Sequence, residues 1–154
     1  MNRRSLLWIL LIAGLATSTG LWALGLVLGQ QRFEAGLTLA KRQMAEGRFD
    51  EARSWLAEQS ARDPGNGEIP YLLGVCERAD GRLDAAMAAW SSVSEDSPFA
   101  ARVRLAKGKA FVRDFGRFAD AEPLLKSAIN GRGATAVEAR HALFQLFFWQ
   151  GRVD

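Results

Sequence analysis

A Gly-Arg dipeptide followed by an apolar residue recurs along this chain at an almost constant interval, which restricts it to folds that repeat. Gly47-Arg48-Phe49-Asp50 returns as Gly81-Arg82-Leu83-Asp84, as Gly116-Arg117-Phe118-Ala119 and as Gly151-Arg152-Val153-Asp154, at spacings of 34, 35 and 35 residues. A fixed period of this size marks stacked helical hairpins, each too thin to bury its own apolar face. Each phrase reads as a helix–turn–helix corner: the Gly takes positive φ and ends one helix, and the Asp three residues later caps the next. In the third phrase Ala119 stands in place of the Asp, and Asp120 caps one position late.

The flanks repeat with the corners. After each Gly the apolar positions are Phe49, Ala52, Trp55 and Leu56, then Leu83, Ala86, Ala89 and Trp90, then Phe118, Ala121, Leu124, Leu125 and Ala128. Steps of three and four place each set on one helical face. Seven or eight residues before the Gly stands a small residue (Ala40, Gly74 or Gly108), and the reading pairs Ala40 with Ala52, Gly74 with Ala86 and Gly108 with Ala121 so that two helices approach closely. Pro64 and Pro98 are expected to stop the second helix of the first two units. On these residues the chain resembles a tetratricopeptide repeat (TPR) protein of bacterial type over residues 33–154. The resemblance implies an all-α fold, an α-solenoid of about three and a half repeats, at about 33–66, 67–100, 101–135 and a partial 136–154.

The first thirty residues have a different character. Met1-Asn2-Arg3-Arg4-Ser5 is followed by 24 residues without a charge, from Leu6 to Gly29. At 1.5 Å per residue such a run reaches about 36 Å, enough to span a ~30 Å hydrocarbon core. Residues 1–30 are therefore read as an N-terminal transmembrane signal-anchor and 31–154 as the TPR domain. The two leading arginines favour a cytoplasmic N-terminus, which puts the repeats on the extracytoplasmic, periplasmic side of a single-pass protein. The competing reading is a cleaved signal with Leu6–Ala16 as its apolar region; the run continues through Leu28, longer than a signal needs. Gly25 and Gly29 form a small-xxx-small pair suited to packing two spans together. With no linker at Gln30-Gln31-Arg32, one nearly continuous helix is expected from about Ser5 to Glu46, weakened at Gly36 by about 1 kcal/mol relative to Ala.

Composition excludes more than it suggests. The chain holds 20 Lys and Arg against 17 Asp and Glu; with Arg3 and Arg4 set aside the rest carries 18 against 17, no basis for nucleic-acid binding. One cysteine, Cys76, permits no internal disulfide and reads as a buried small hydrophobe. One histidine, His141, leaves no catalytic pair and no metal-ligand spacing. The reading is of a non-enzyme without metal or cofactor. The arginines at 48, 82, 117 and 152 read as solvated turn residues beside acids rather than as a polyanion-binding strip.

Residues 137–150 read as the first helix of a fourth unit, rich in aromatics at Phe144, Phe147, Phe148 and Trp149 and lacking the small residue expected near Phe144. Such a face, left half covered, implies either a longer protein or a second chain at this edge. By similarity to the family, the partner-binding groove falls on Leu37, Lys41 and Met44, on Glu68, Tyr71, Val75 and Arg78, and on Arg102, Leu105, Lys109 and Arg113. This mixed apolar and basic set suits an extended peptide with acidic character or a free carboxylate, with Tyr71 and Arg78 central. Chaperone-binding TPRs build a two-carboxylate clamp on Lys and Asn in the first unit; with Leu37 and Lys41 there, that activity is not carried over. The expected function is a membrane-anchored scaffold that captures a protein or peptide. Two alternatives are the anchoring arm of a longer protein and a homo-oligomeric module joined through the open C-terminal edge.

Overall fold

The computed structural model describes residue 25 and residues 27–152. The chain divides into two compact units, 1–39 and 40–154. Helix α1 covers residues 27–45 and so begins in the first unit and ends in the second. In the first unit the described residues are helical and mostly exposed, Leu37 being buried. The expected transmembrane stretch falls almost wholly outside the described residues; among those described, no helix is long and apolar enough to cross a membrane. Gly25 and Gly29 are exposed, with open space where a side chain would stand.

The second unit continues with α2 (Phe49–Arg62), α3 (Glu68–Ala79), α4 (Leu83–Ser91), α5 (Ala100–Arg113), α6 (Phe118–Ala128) and α7 (Ala134–Trp149). No strand occurs among the described residues. Helices α3 and α4 pack as one hairpin and α5 and α6 as the next, while α2 lies on α3 and α7 on α6. The first helices of successive hairpins also touch, α3 with α5 and α5 with α7. The result is a TPR-like α-solenoid.

The corners form for the reason read from sequence, with one correction. Gly47, Gly81, Gly116 and Gly151 all have positive φ, between 65° and 77°. The Gly81 N–H donates to the Arg78 carbonyl and the Arg82 N–H to the Glu77 carbonyl, the paired bonds of a Schellman motif, and the same pattern recurs at Gly47 and Gly151. At Gly116 the extra residue widens the turn, so that the Arg117 N–H reaches back to Phe111. The following helix starts earlier than expected. Arg48, Arg82 and Arg117 are its N-caps, without side-chain capping bonds, and their carbonyls accept from Ala52, Ala86 and Ala121. The acids at 50, 84 and 120 therefore sit inside the first turn, where they face the positive end of the helix dipole.

Two other expectations change. Pro64 follows the end of α2 closely, but α4 stops at Ser91, well before Pro98. The Ser91 hydroxyl donates to the Met87 carbonyl and the Ser92 hydroxyl to that of Ala89, and such local bonds compete with helix continuation. The close approach of helices also uses other partners. A methyl at Gly74 would first meet the Trp90 indole, and one at Gly108 the Leu125 side chain, with the Ala121 backbone farther off. The small residue is thus a seat for a large one. One core cluster gathers Ala86, Trp90, Val93, Val103 and Ala110; a second gathers Leu105, Ala121, Leu125, Ala128, Ala139, Ala142 and Leu146.

Candidate functional site

The side of the second unit formed by α3, α5 and α7 holds a cavity of about 120 Å³. Tyr71, Val75 and Arg78 reach it from α3, Arg102, Leu105, Ala106 and Lys109 from α5, Glu138 from α7 and Trp90 from α4. Residues at i, i+4 and i+7 of α3 share one helical face, so three turns of one helix and three of its neighbour supply the walls. Trp90 closes one side. Its ring is buried against Gly74, and its Nε1–H donates to the Tyr71 carbonyl at 3.1 Å, tying α4 to the wall-forming turn of α3.

The charged groups around this cavity differ in what they are bound to. Arg78 holds Asp114 with two bonds, Nε to Oδ2 at 2.5 Å and an Nη to Oδ1 at 3.2 Å. Lys109 donates to Glu138 at 2.7 Å. Arg102 has no carboxylate partner among the described residues; its guanidinium lies over the Phe99 ring, 5.2 Å from the centroid. Phe99 in turn lies 6.0 Å from the ring of Tyr71. No hydrogen bond engages the Tyr71 hydroxyl among the described residues. Burial raises the Tyr71 pKa above the ordinary phenol value, Arg102 opposes the shift and Glu138 adds to it. The phenol is thus a neutral donor within electrostatic reach of both. Arg102 also borders a second cavity of about 380 Å³ with Pro98, Phe99, Ala101, Gly131, Arg132 and Thr135, and so stands on the lip between the two.

Of the groove residues read from sequence, six line the first cavity: Tyr71, Val75, Arg78, Arg102, Leu105 and Lys109. The others lie elsewhere. Lys41 is paired with Glu68 at 2.7 Å, Met44 is half-buried, Leu37 is buried, and Arg113 is exposed without an ion pair among the described residues. Leu105 is buried too and forms floor rather than rim. Three cavity residues were missed: Trp90, Glu138 and Ala106, the last next to Leu105 on α5 but outside the groove pattern. Trp90 lies on a second helix, outside the groove pattern; Glu138 lies one repeat beyond Arg102, on α7. Asn66 was missed as well: its Oδ1 accepts the N–H groups of Glu68 and Ile69 and so caps α3, the helix that carries Tyr71.

The corner arginines are neutralised. Arg48 pairs with Glu46 and Glu51, Arg82 with Glu77 and Asp80, Arg117 with Asp120, and Arg152 with Glu122. Arg117 and Arg152 also lie over the rings of Phe111 and Phe147. Cys76 is fully buried, and burial pushes its thiol up to about 11. His141 is exposed on α7. No cluster of three metal-ligating side chains occurs among the described residues.

A tetratricopeptide repeat family model matches residues 43–110. Among the curated proteins none matches the chain. Solved structures similar to it include the type III secretion translocator chaperone SycD of Yersinia enterocolitica, at 19% identity over 77% of this chain and 85% of that one, with a TM-score of 0.68. SycD in complex with a peptide of the translocator YopD gives 18% identity over 78% and 95%, with a TM-score of 0.67. PcrH in complex with the chaperone binding region of PopD gives 20% identity over 81% and 96%, with a TM-score of 0.69. At these identities the likeness is one of fold.

Proposed function

We propose that this chain is a non-enzymatic scaffold, tethered to the membrane through residues 6–29, that captures an extended segment of a partner protein on the α3–α5–α7 side of its repeat domain. The observation that carries this reading is the cavity whose walls come from successive repeats and whose rim offers unused hydrogen-bond donors over an apolar floor. A site of that kind gives affinity through buried apolar contact and orientation through few polar groups. Relatives in fold that hold peptides of translocator proteins lend support. The repeats would lie on the extracytoplasmic side, with the N-terminus in the cytoplasm.

In-cell photo-crosslinking tests this. A benzophenone amino acid at Arg113, exposed on α5 one turn past the cavity residue Lys109, is expected to capture a discrete partner from membranes, while the same group at Ser54, exposed on α2, does not. Equal capture at both positions, or none at Arg113, overturns the groove.

A second reading, self-association through α7, rests on its own observation. Val137, Phe144 and Phe148 are 62%, 56% and 64% exposed along one face, with Trp149 beside them. Phe144 occupies the place held by Ala40, Gly74 and Gly108 in earlier units, so its ring fills the seat that a following large residue would use. Light scattering on the full chain and on Phe144→Ser with Phe148→Ser separates the two readings: a dimer lost in the variant supports self-association, and equal masses oppose it.

A further inference from the structure

Accepting the groove reading, we infer that the cavity selects a peptide carrying one carboxylate next to an aliphatic side chain, and that Arg102 with the Tyr71 hydroxyl reads the carboxylate. The floor is apolar: Val75, Leu105, Ala106 and the faces of Trp90 and Tyr71 surround a volume on the scale of one side chain. The rim carries three cations, but two are spent within the protein. Arg78 is held bidentately by Asp114, and Lys109 is held by Glu138. Seating a ligand on either would first displace an acid already in place, Asp114 with its side chain 22% exposed and Glu138 with its side chain 56% exposed. Arg102 has no such obligation. Cation–π contact with Phe99 positions its guanidinium and leaves its N–H groups unbound to any acid.

The Tyr71 hydroxyl is the second donor without a partner among the described residues, and its ring contacts the Phe99 that carries Arg102. A neutral phenol and a guanidinium both donate, so their shared ligand accepts; peptide carbonyls do so too, but the charge on Arg102 favours a carboxylate. A lysine side chain has no acceptor and would meet Arg102 as a like charge. A second acid in the peptide would find no cation left over at the cavity, since Asp114 and Glu138 already match Arg78 and Lys109. One acid is the number the charges support.

The test uses the full chain labelled with ¹⁵N at its indoles, because the Trp90 N–H sits in the cavity wall and reports on occupancy. Probes are capped hexapeptides of sequence Ser-Gly-Leu-Asp-Gly-Ser, the same with Asn or Lys in place of Asp, and the same with Ala in place of Leu. The Leu-Asp peptide is expected to shift the Trp90 resonance and to bind at least about tenfold tighter than the Leu-Asn and Leu-Lys peptides, as for a hydrogen bond to a charged group. Arg102→Glu is expected to favour Leu-Lys instead, while Arg140→Gln, a change to an exposed arginine on α7, keeps the order. If all four peptides move Trp90 with equal affinity, the carboxylate assignment is wrong and the groove stands. If none moves it at any concentration, both are wrong.

Discussion

Gly74 lies directly beneath the indole of Trp90: a methyl group on Gly74 would stand 2.3 Å from Trp90 Nε1 and 2.5 Å from its Cδ1. No rotamer of a buried indole can yield that much while keeping its hydrogen bond to the Tyr71 carbonyl. Gly74→Ala is therefore expected to lower folding stability by about 1–3 kcal/mol, the range for overpacking a core. Urea denaturation followed by circular dichroism measures it, and an unchanged midpoint would show that the two helices are not held at this distance.

The corners make a separate prediction. Gly81 has φ of +77° with open space around it, so Gly81→Ala meets no clash and feels only backbone strain. The expected loss is about 1–2 kcal/mol, from the cost of the left-handed conformation for a residue with a Cβ. Equal stability of the variant would mean that the turn does not need positive φ.

Cys76 gives a pH dependence with a definite sign. Burial holds its thiol at about 11 against an ordinary value of 9.0, so across that window the unfolded chain ionises while the folded chain keeps its proton. Stability gained from the protonated thiol is full below pH 9.0 and falls as pH rises toward about 11. With one cysteine in the chain, the difference in ultraviolet absorbance between the chain and Cys76→Ala isolates this thiolate from the Tyr71 phenolate, and Cys76→Ala should flatten that part of the stability curve. A thiol titrating near its ordinary value would contradict the burial of α3.

The proposed membrane span predicts that the full chain stays in the pellet after carbonate extraction, and that a chain starting at residue 31 does not. If Gly25 and Gly29 pack two spans together, Gly25→Leu reduces crosslinked dimers by severalfold while leaving the chain in the pellet. Release of the full chain by carbonate contradicts the tether, and unchanged crosslinking contradicts the glycine pair.

Much of the repeat domain is legible in sequence because its signals are local. A positive-φ Gly and helical spacing of Ala52, Leu56, Ala86 and Trp90 each act within a few residues, and all of them emerge buried or at turns. What escaped depends on contacts between distant residues or on competition. The capping role of Asp50, Asp84 and Asp120 failed because each helix already starts at the Arg, which follows a Schellman turn at Arg48 and Arg82 and a wider turn at Arg117, leaving no room for a later cap. The end of α4 was misplaced: it falls at Ser91, well before Pro98, where the Ser91 and Ser92 hydroxyls bond preceding carbonyls. At the site, the family pattern picked out six of the cavity residues but could not tell that Arg78 and Lys109 are already paired, since Asp114 and Glu138 lie 36 and 29 residues away. Arg78, expected to be central, is held by Asp114 with two bonds, while Arg102 at the same cavity has no acid partner among the described residues.

Hydroxyl-radical footprinting of the full chain, alone and joined to the partner captured at Arg113, weighs the two exposed faces against each other. A peptide lying along α3, α5 and α7 should protect Tyr71 and Phe99 and leave Phe144, Phe148 and Trp149 as reactive as before. Protection of the three α7 aromatics with Tyr71 and Phe99 unchanged would show that partners dock on the terminal helix and that the cavity is not a binding site.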